Sequence, residues 1–168
     1  ILNAGHDPAA YAISSGFDVL LDHPEQLRLL ADRPDLVPNA VNEILRWAPP
    51  VRFFMRTAAE STEVAGHNFD AGDWVLLAYL SANRDEQAFK DPATFQIDRP
   101  DAGRHLAFGI GKHHCLGSNL ARLEMQVLFD RLRLALPQLE RAAPTTYSGG
   151  GYVGGPTSLL SSNPWRSP

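Results

Sequence analysis

The residues with most chemical potential lie in one ten-residue run, Phe108-Gly109-Ile110-Gly111-Lys112-His113-His114-Cys115-Leu116-Gly117. Cys115 is the single cysteine of the chain. An intrachain disulfide is therefore impossible, and structural zinc sites that need two thiolates are excluded. Glycines at i and i+2 permit backbone angles and close approaches that side chains forbid. The cysteine falls at or just before the start of a helical pattern, where unpaired N–H groups and the helix dipole favour a thiolate. Lys112, His113 and His114 add positive or donor capacity. A thiolate held in this way, next to an aromatic-lined glycine turn, suits axial ligation of a haem iron. Two other uses compete. Cys115 could pack as a small hydrophobe, or act as a nucleophile served by His113 or His114, although sequence neighbours rarely present a base in the right geometry.

The elements around this run must position it. Ala9, Ala12, Ile13, Phe17 and Leu20 mark one face of a helix over the first twenty residues, which Pro8 is expected to kink. Asp22-His23-Pro24-Glu25 reads as a stop and a new start, giving a short helix over 26–33 that Pro34 ends. A third helix over 35–47 carries Val37, Val41, Ile44 and Ala48 on one face and stops at Pro49-Pro50. Residues 51–55 read as extended. Residues 63–69 and 72–77 read as two strands around Gly, Asn and Asp turns, and 77–83 as a return to helix. Residues 84–112 lack periodicity, and a structureless stretch of that length points to function. A strong helix follows Cys115 with Leu116, Leu120, Leu123 and Val127 on one face. Beyond Pro144 the glycines predict loops or a short hairpin.

Composition bounds the function. The 168 residues fit about one ~150-residue domain. At 44% hydrophobic and 20% charged they can bury a core. A net charge of −4 supplies no basic excess for nucleic acid. No apolar run approaches the ~20 residues of a membrane helix. The chain opens on Ile1-Leu2-Asn3-Ala4-Gly5-His6-Asp7, without an initiator Met or a signal-peptide n-region, and reads as the middle of something longer.

The cysteine run resembles, position for position, the ligand loop of the cytochrome P450 family, Phe-Gly-x-Gly-x-His-x-Cys-x-Gly. In its His113 form it is similar to the soluble bacterial members, which implies a cytoplasmic enzyme. The resemblance implies a mainly helical fold with small β-sheets, of which residues 1–168 form a C-terminal fragment, from the end of the distal helix through the cysteine loop and the helix after it. It implies haem as cofactor and Cys115 as its thiolate ligand. Phe108, Gly109 and Gly111 would shape the loop, and His113 would hold a propionate. Arg56 and, more weakly, His105 are further propionate candidates, against solvated surface residues as the alternative. Glu43-Ile44-Leu45-Arg46 is similar to the family's Glu-x-x-Arg helix, and Arg99 would complete a buried ion network that scaffolds the haem side. Residues 51–54 and 152–153 match places where the family lines its substrate pocket.

Ala4-Gly5-His6-Asp7-Pro8-Ala9 aligns with the family's distal motif, in which an acid is followed by an alcohol. Asp7 supplies the acid, so the resemblance assigns it to proton delivery. Pro8 and Ala9 supply no hydroxyl. The implied activity is monooxygenation of an apolar organic substrate, with electrons from a ferredoxin- or flavodoxin-type donor. A peroxide-dependent or otherwise atypical haem-thiolate enzyme, or a haem-binding fragment without turnover, are the alternatives. A segment of this kind is expected to bind haem weakly, to fold poorly alone and to be inactive in isolation.

Overall fold

The computed structural model describes residues 2–162, and the side chains from Ala4 onward. Helix α1 (Leu2–Asp22) continues through Pro8. So near its start, proline removes only the N–H that would bond to the carbonyl of Ala4. The second half of α1 buries Ala12, Val19 and Leu20. Gly16 lies where α1 meets the helix that follows the cysteine loop: a Cβ there would sit 2.5 Å from Phe129 Cζ, so only glycine allows this approach. Helix α2 (Pro24–Asp32) has Pro at its first position, where no helical donor is lost. A single turn at Pro34–Leu36 leads into α3 (Val37–Trp47). Val37, Ala40, Val41, Ile44 and Leu45 of α3 form the centre of the core.

Strand β1 (Phe53–Thr57) pairs antiparallel with β4 (Trp74–Ala78), Phe53 opposite Ala78 and Thr57 opposite Trp74. Between them lies a separate hairpin, β2 (Thr62–Val64) with β3 (His67–Phe69). The stretch expected to be one strand is thus two, folded about Ala65 and Gly66. Both have positive φ (51° and 81°), the pairing that a two-residue hairpin turn of matching twist requires. A one-turn helix α4 (Tyr79–Ala82) follows β4.

Residues 84–112 contain only short turns. They are held by the buried ions of α3 and by side-chain bonds to backbone. Helix α5 (Ser118–Leu132) buries Ser118, Met125 and Phe129. The expected apolar stripe points the other way: Leu116, Leu120, Leu123 and Val127 are all exposed. At about 100° per residue, two stripes offset by two positions face opposite sides of a helix. The buried stripe was hidden because it contains Ser118 and Arg122. Short strands β5 (Thr146–Tyr147) and β6 (Pro156–Ser158) pair near the end. Arg141, Thr145 and Tyr147 all hydrogen-bond to the buried Asp18, tying this segment to α1. Burial alone would raise the Asp18 pKa, and these bonds outweigh it and hold the carboxyl below its usual range.

Candidate functional site

The site rests on a buried ion network. Glu43 and Arg46, one turn apart on α3, form a bidentate pair at 2.7 and 2.8 Å. Arg99 reaches the same carboxylate at 3.2 Å, and the backbone N–H of Gln96 adds a bond at 2.9 Å. Arg46 also donates to the carbonyls of Asn83, Pro92 and Thr94, and Arg99 to those of Lys90, Asp91 and Thr94. None of the three side chains is more than 2% exposed. One carboxylate and two guanidinium groups therefore organise the irregular segment, which has no ladder of its own. Arg99 fills the place anticipated for it.

From this network Asn83 connects to the cysteine loop, since its Oδ1 accepts from the N–H of Leu106 at 2.7 Å. His105, next in chain, is buried, with Nδ1 accepting from Ala107 N–H at 3.1 Å. Nδ1 is then the unprotonated nitrogen, so Nε2 carries the proton of the neutral ring. Burial, with Arg122 and Arg46 adding positive potential, lowers the His105 pKa from 6.5 to about 4. Nε2–H of His105 and the Nδ2 of Asn83 are buried donors with no partner among the described residues. An orphaned buried donor costs about 1–3 kcal/mol, so it marks a place where an acceptor belongs.

The loop itself turns at Gly109 (φ 69°) and Gly111 (φ 76°). A Cβ on Gly109 would also lie 3.3 Å from the Tyr79 hydroxyl. Cys115 N–H donates to the Phe108 carbonyl at 2.9 Å, which closes the loop three residues before α5 begins. The thiol of Cys115 is exposed. Phe108 packs beside the His105 ring, and the Arg122 guanidinium lies 4.5 Å from its ring centre. Arg122 is also bonded to Asn42 at 3.2 Å, and burial lowers its pKa while Cys115 pulls it back up. Among the described residues no three His, Cys, Asp or Glu side chains gather to hold a metal ion by themselves.

The structure thus brings His105, Phe108, Gly109, Gly111 and Cys115 into one loop. His113, between Gly111 and Cys115 on the same loop, is exposed. Arg56 on β1 is exposed, and among the described residues its guanidinium bonds only to the Met55 carbonyl, at 2.9 Å. Asp7, near the start of α1, is exposed and bonded to His6 Nδ1 at 2.7 Å. Asn83, Tyr79 and Arg122 escaped sequence reasoning. Their roles depend on contacts between distant segments, and no spacing signals them.

A sequence profile of cytochrome P450 matches residues 28–132, and the chain belongs to that family. It is 43% identical over 159 residues to Cytochrome P450-terp of Pseudomonas sp, covering 95% of this chain and 37% of that protein. With the steroid C26-monooxygenase of Mycolicibacterium smegmatis it shares 40% identity over 161 residues, 95% of this chain and 40% of that one. A solved structure of cytochrome P450 CREJ superposes with a TM-score of 0.91 at 38% identity, over 98% of this chain and 41% of that one. The chain spans about two-fifths of the length of these relatives. Among the described residues no helix is long and apolar enough to cross a membrane.

Proposed function

We propose that this chain is the C-terminal part of a single haem-thiolate monooxygenase domain acting in the cytoplasm on a small apolar organic substrate. The observation that carries the reading is the loop in which an exposed cysteine thiol follows two positive-φ glycines, beside a buried histidine with an unanswered N–H. That donor set fits haem. Cys115 would ligate the iron as thiolate. His105 Nε2–H and the Arg56 guanidinium would bind propionate carboxylates, with His113 a further donor at the loop. The haem would supply activation of dioxygen and insertion of one oxygen atom into a C–H bond, with electrons from a ferredoxin- or flavodoxin-type donor.

The chain's own residues have narrower tasks. Gly109 and Gly111 keep the backbone flat and free of side chains where a planar group would approach. Phe108 and Arg122 cover one side of the loop. Arg122 places a positive charge near the Cys115 sulfur. Asp7 would hold and release protons at its carboxylate, with His6 as the hydrogen-bonded neighbour.

The test is spectral. The full-length protein, loaded with haem, reduced and exposed to carbon monoxide, should give a Soret band of the thiolate-ligated type that Cys115→Ala abolishes. A cooperatively melting full-length protein that takes up no haem, or a band unaffected by Cys115→Ala, refutes the proposal. Pro8 favours one variant reading, a peroxide-dependent enzyme, because neither it nor Ala9 offers a hydroxyl and Pro8 leaves the Ala4 carbonyl without its helical donor. In the holoenzyme, Pro8→Thr should raise the product formed per NAD(P)H consumed. Unchanged coupling removes Pro8 from the reasoning.

A further inference from the structure

A line of aromatic rings joins the cysteine loop to the last hairpin of the chain. Tyr79, whose hydroxyl lies 3.3 Å from where a Cβ on Gly109 would sit, meets Phe54 edge-on with 6.2 Å between ring centres. Phe54 in turn packs on Tyr152 at 5.8 Å. Tyr152 belongs to the loop 148–155 between β5 and β6. Ser148 N–H donates to the Gly155 carbonyl at 2.9 Å and Gly155 N–H to Ser148 Oγ at 3.1 Å, which closes the loop at its base. Backbone bonds seat it on the stretch before β1: Arg52 N–H donates to the Tyr152 carbonyl at 2.8 Å, and Gly154 N–H to the Pro50 carbonyl at 3.0 Å. The hairpin itself supplies little rigidity. β5 has two residues and its register with β6 is shifted between them, and an isolated two-stranded ribbon is marginal even when longer. Its placement must come from outside, and the outside anchor is α1. Asp18, 5% exposed, accepts from Arg141, Thr145 and Tyr147, the last of these the residue immediately before the loop. Arg141 also donates to the Asp18 carbonyl at 3.0 Å and to Asp22 at 2.7 Å. A buried carboxylate is costly unless it is paired and hydrogen-bonded, and this one is committed to three groups of a single segment.

We propose that Asp18 is a positioning residue for the substrate pocket: its carboxylate anchors β5 and, through it, holds Tyr152 against Phe54 at the end of the aromatic line that leads to Gly109. Gly155 shows that the loop is fitted to α1 at close range, since a Cβ there would sit 2.8 Å from Tyr11 Cβ. The inference deepens the proposed function and rests on its reading of residues 152–153 as pocket lining. It makes the shape of that wall, and not the hold on haem, depend on Asp18.

Hydrogen exchange on the full-length protein reads the positioning directly and needs no haem. In Asp18→Asn the amides of Arg52 and Gly154 should exchange roughly 10- to 100-fold faster, the worth of a hydrogen bond to a charged group. The amide of Cys115, bonded to the Phe108 carbonyl, should keep its rate. Tyr147→Phe removes one bond from an exposed side chain. It should speed the same two amides by less, and it carries the test if Asp18→Asn fails to fold. Unchanged exchange at Arg52 and Gly154 overturns the inference. In the haem-loaded protein, imidazole and 4-phenylimidazole share an iron-binding ring and differ by a phenyl group, and both are titrated by the Soret shift. Asp18→Asn should weaken 4-phenylimidazole roughly 2- to 10-fold, the worth of an aromatic contact, and leave imidazole unchanged. That loss should vanish in a Tyr152→Ala background, because Asp18 acts through the loop. An equal loss for both ligands, or one undiminished when Tyr152 is alanine, overturns the inference. A missing carbon monoxide spectrum counts against the haem reading alone and leaves the exchange rates to decide this one.

Discussion

His105 makes the acid sensitivity of this fold calculable. In the folded chain its imidazole is held neutral, with a pKa of about 4 against 6.5 for a free histidine, chiefly through burial and then through Arg122 and Arg46. Between those two values the unfolded chain binds a proton that the folded chain refuses. Stability from this group is therefore complete above pH 6.5 and lost as the pH falls towards 4. Linkage between the two forms gives a loss of about 3 kcal/mol from pH 7 to pH 4. The perturbation is His105→Asn, which keeps an acceptor for the Ala107 N–H and removes the titration. Urea unfolding of both proteins at pH 7 and pH 4 cancels the other titrating groups in the difference. Wild type should lose about 3 kcal/mol more than the variant on acidification. Parallel losses, within about 0.5 kcal/mol, would refute the assignment of a buried neutral imidazole. A carboxylate accepting from Nε2–H favours the protonated ring, so haem loading should flatten the acid sensitivity of wild type and leave that of the variant unchanged.

Further outcomes follow from the packing. Glu43→Ala leaves two buried guanidinium groups without their carboxylate, and should cost about 3–5 kcal/mol, lowering Tm on the order of 10 °C. A circular dichroism melt checks this, and a shift under about 2 °C contradicts it. Gly16→Ala places a Cβ against Phe129 Cζ and, at 3.1 Å, against Ile44 Cδ1. It should destabilise by about 1–3 kcal/mol, with Phe129→Leu recovering part of the loss in a double-mutant cycle read by urea unfolding.

Much of the site was legible because its chemistry is local. The loop from Phe108 to Gly117 carries fixed residue types at fixed spacing, and glycine and cysteine there have few interchangeable substitutes. The Glu43–Arg46 pair follows from helical geometry, and proline and glycine marked most element ends. Two elements were read differently for physical reasons. The hairpin of β2 and β3 hid its turn because Ala65 adopts positive φ, a conformation that alanine does not advertise. The buried stripe of α5 was masked by Ser118 and Arg122. These residues are satisfied by burial contacts, Arg122 through Phe108 and Asn42.

By itself the sequence determined the identity of the chemical groups: one thiol, the glycines around it, an acid without a following alcohol near the start, and an ion pair one helical turn apart. Local covalent geometry and residue type suffice for that. Only the tertiary structure decided which groups are left unanswered. The N–H of His105 that has no partner among the described residues and the close approach that Gly16 permits are properties of segments far apart in the chain. Burial and charge balance at any one residue are set by its neighbours in space, and a linear pattern does not contain them.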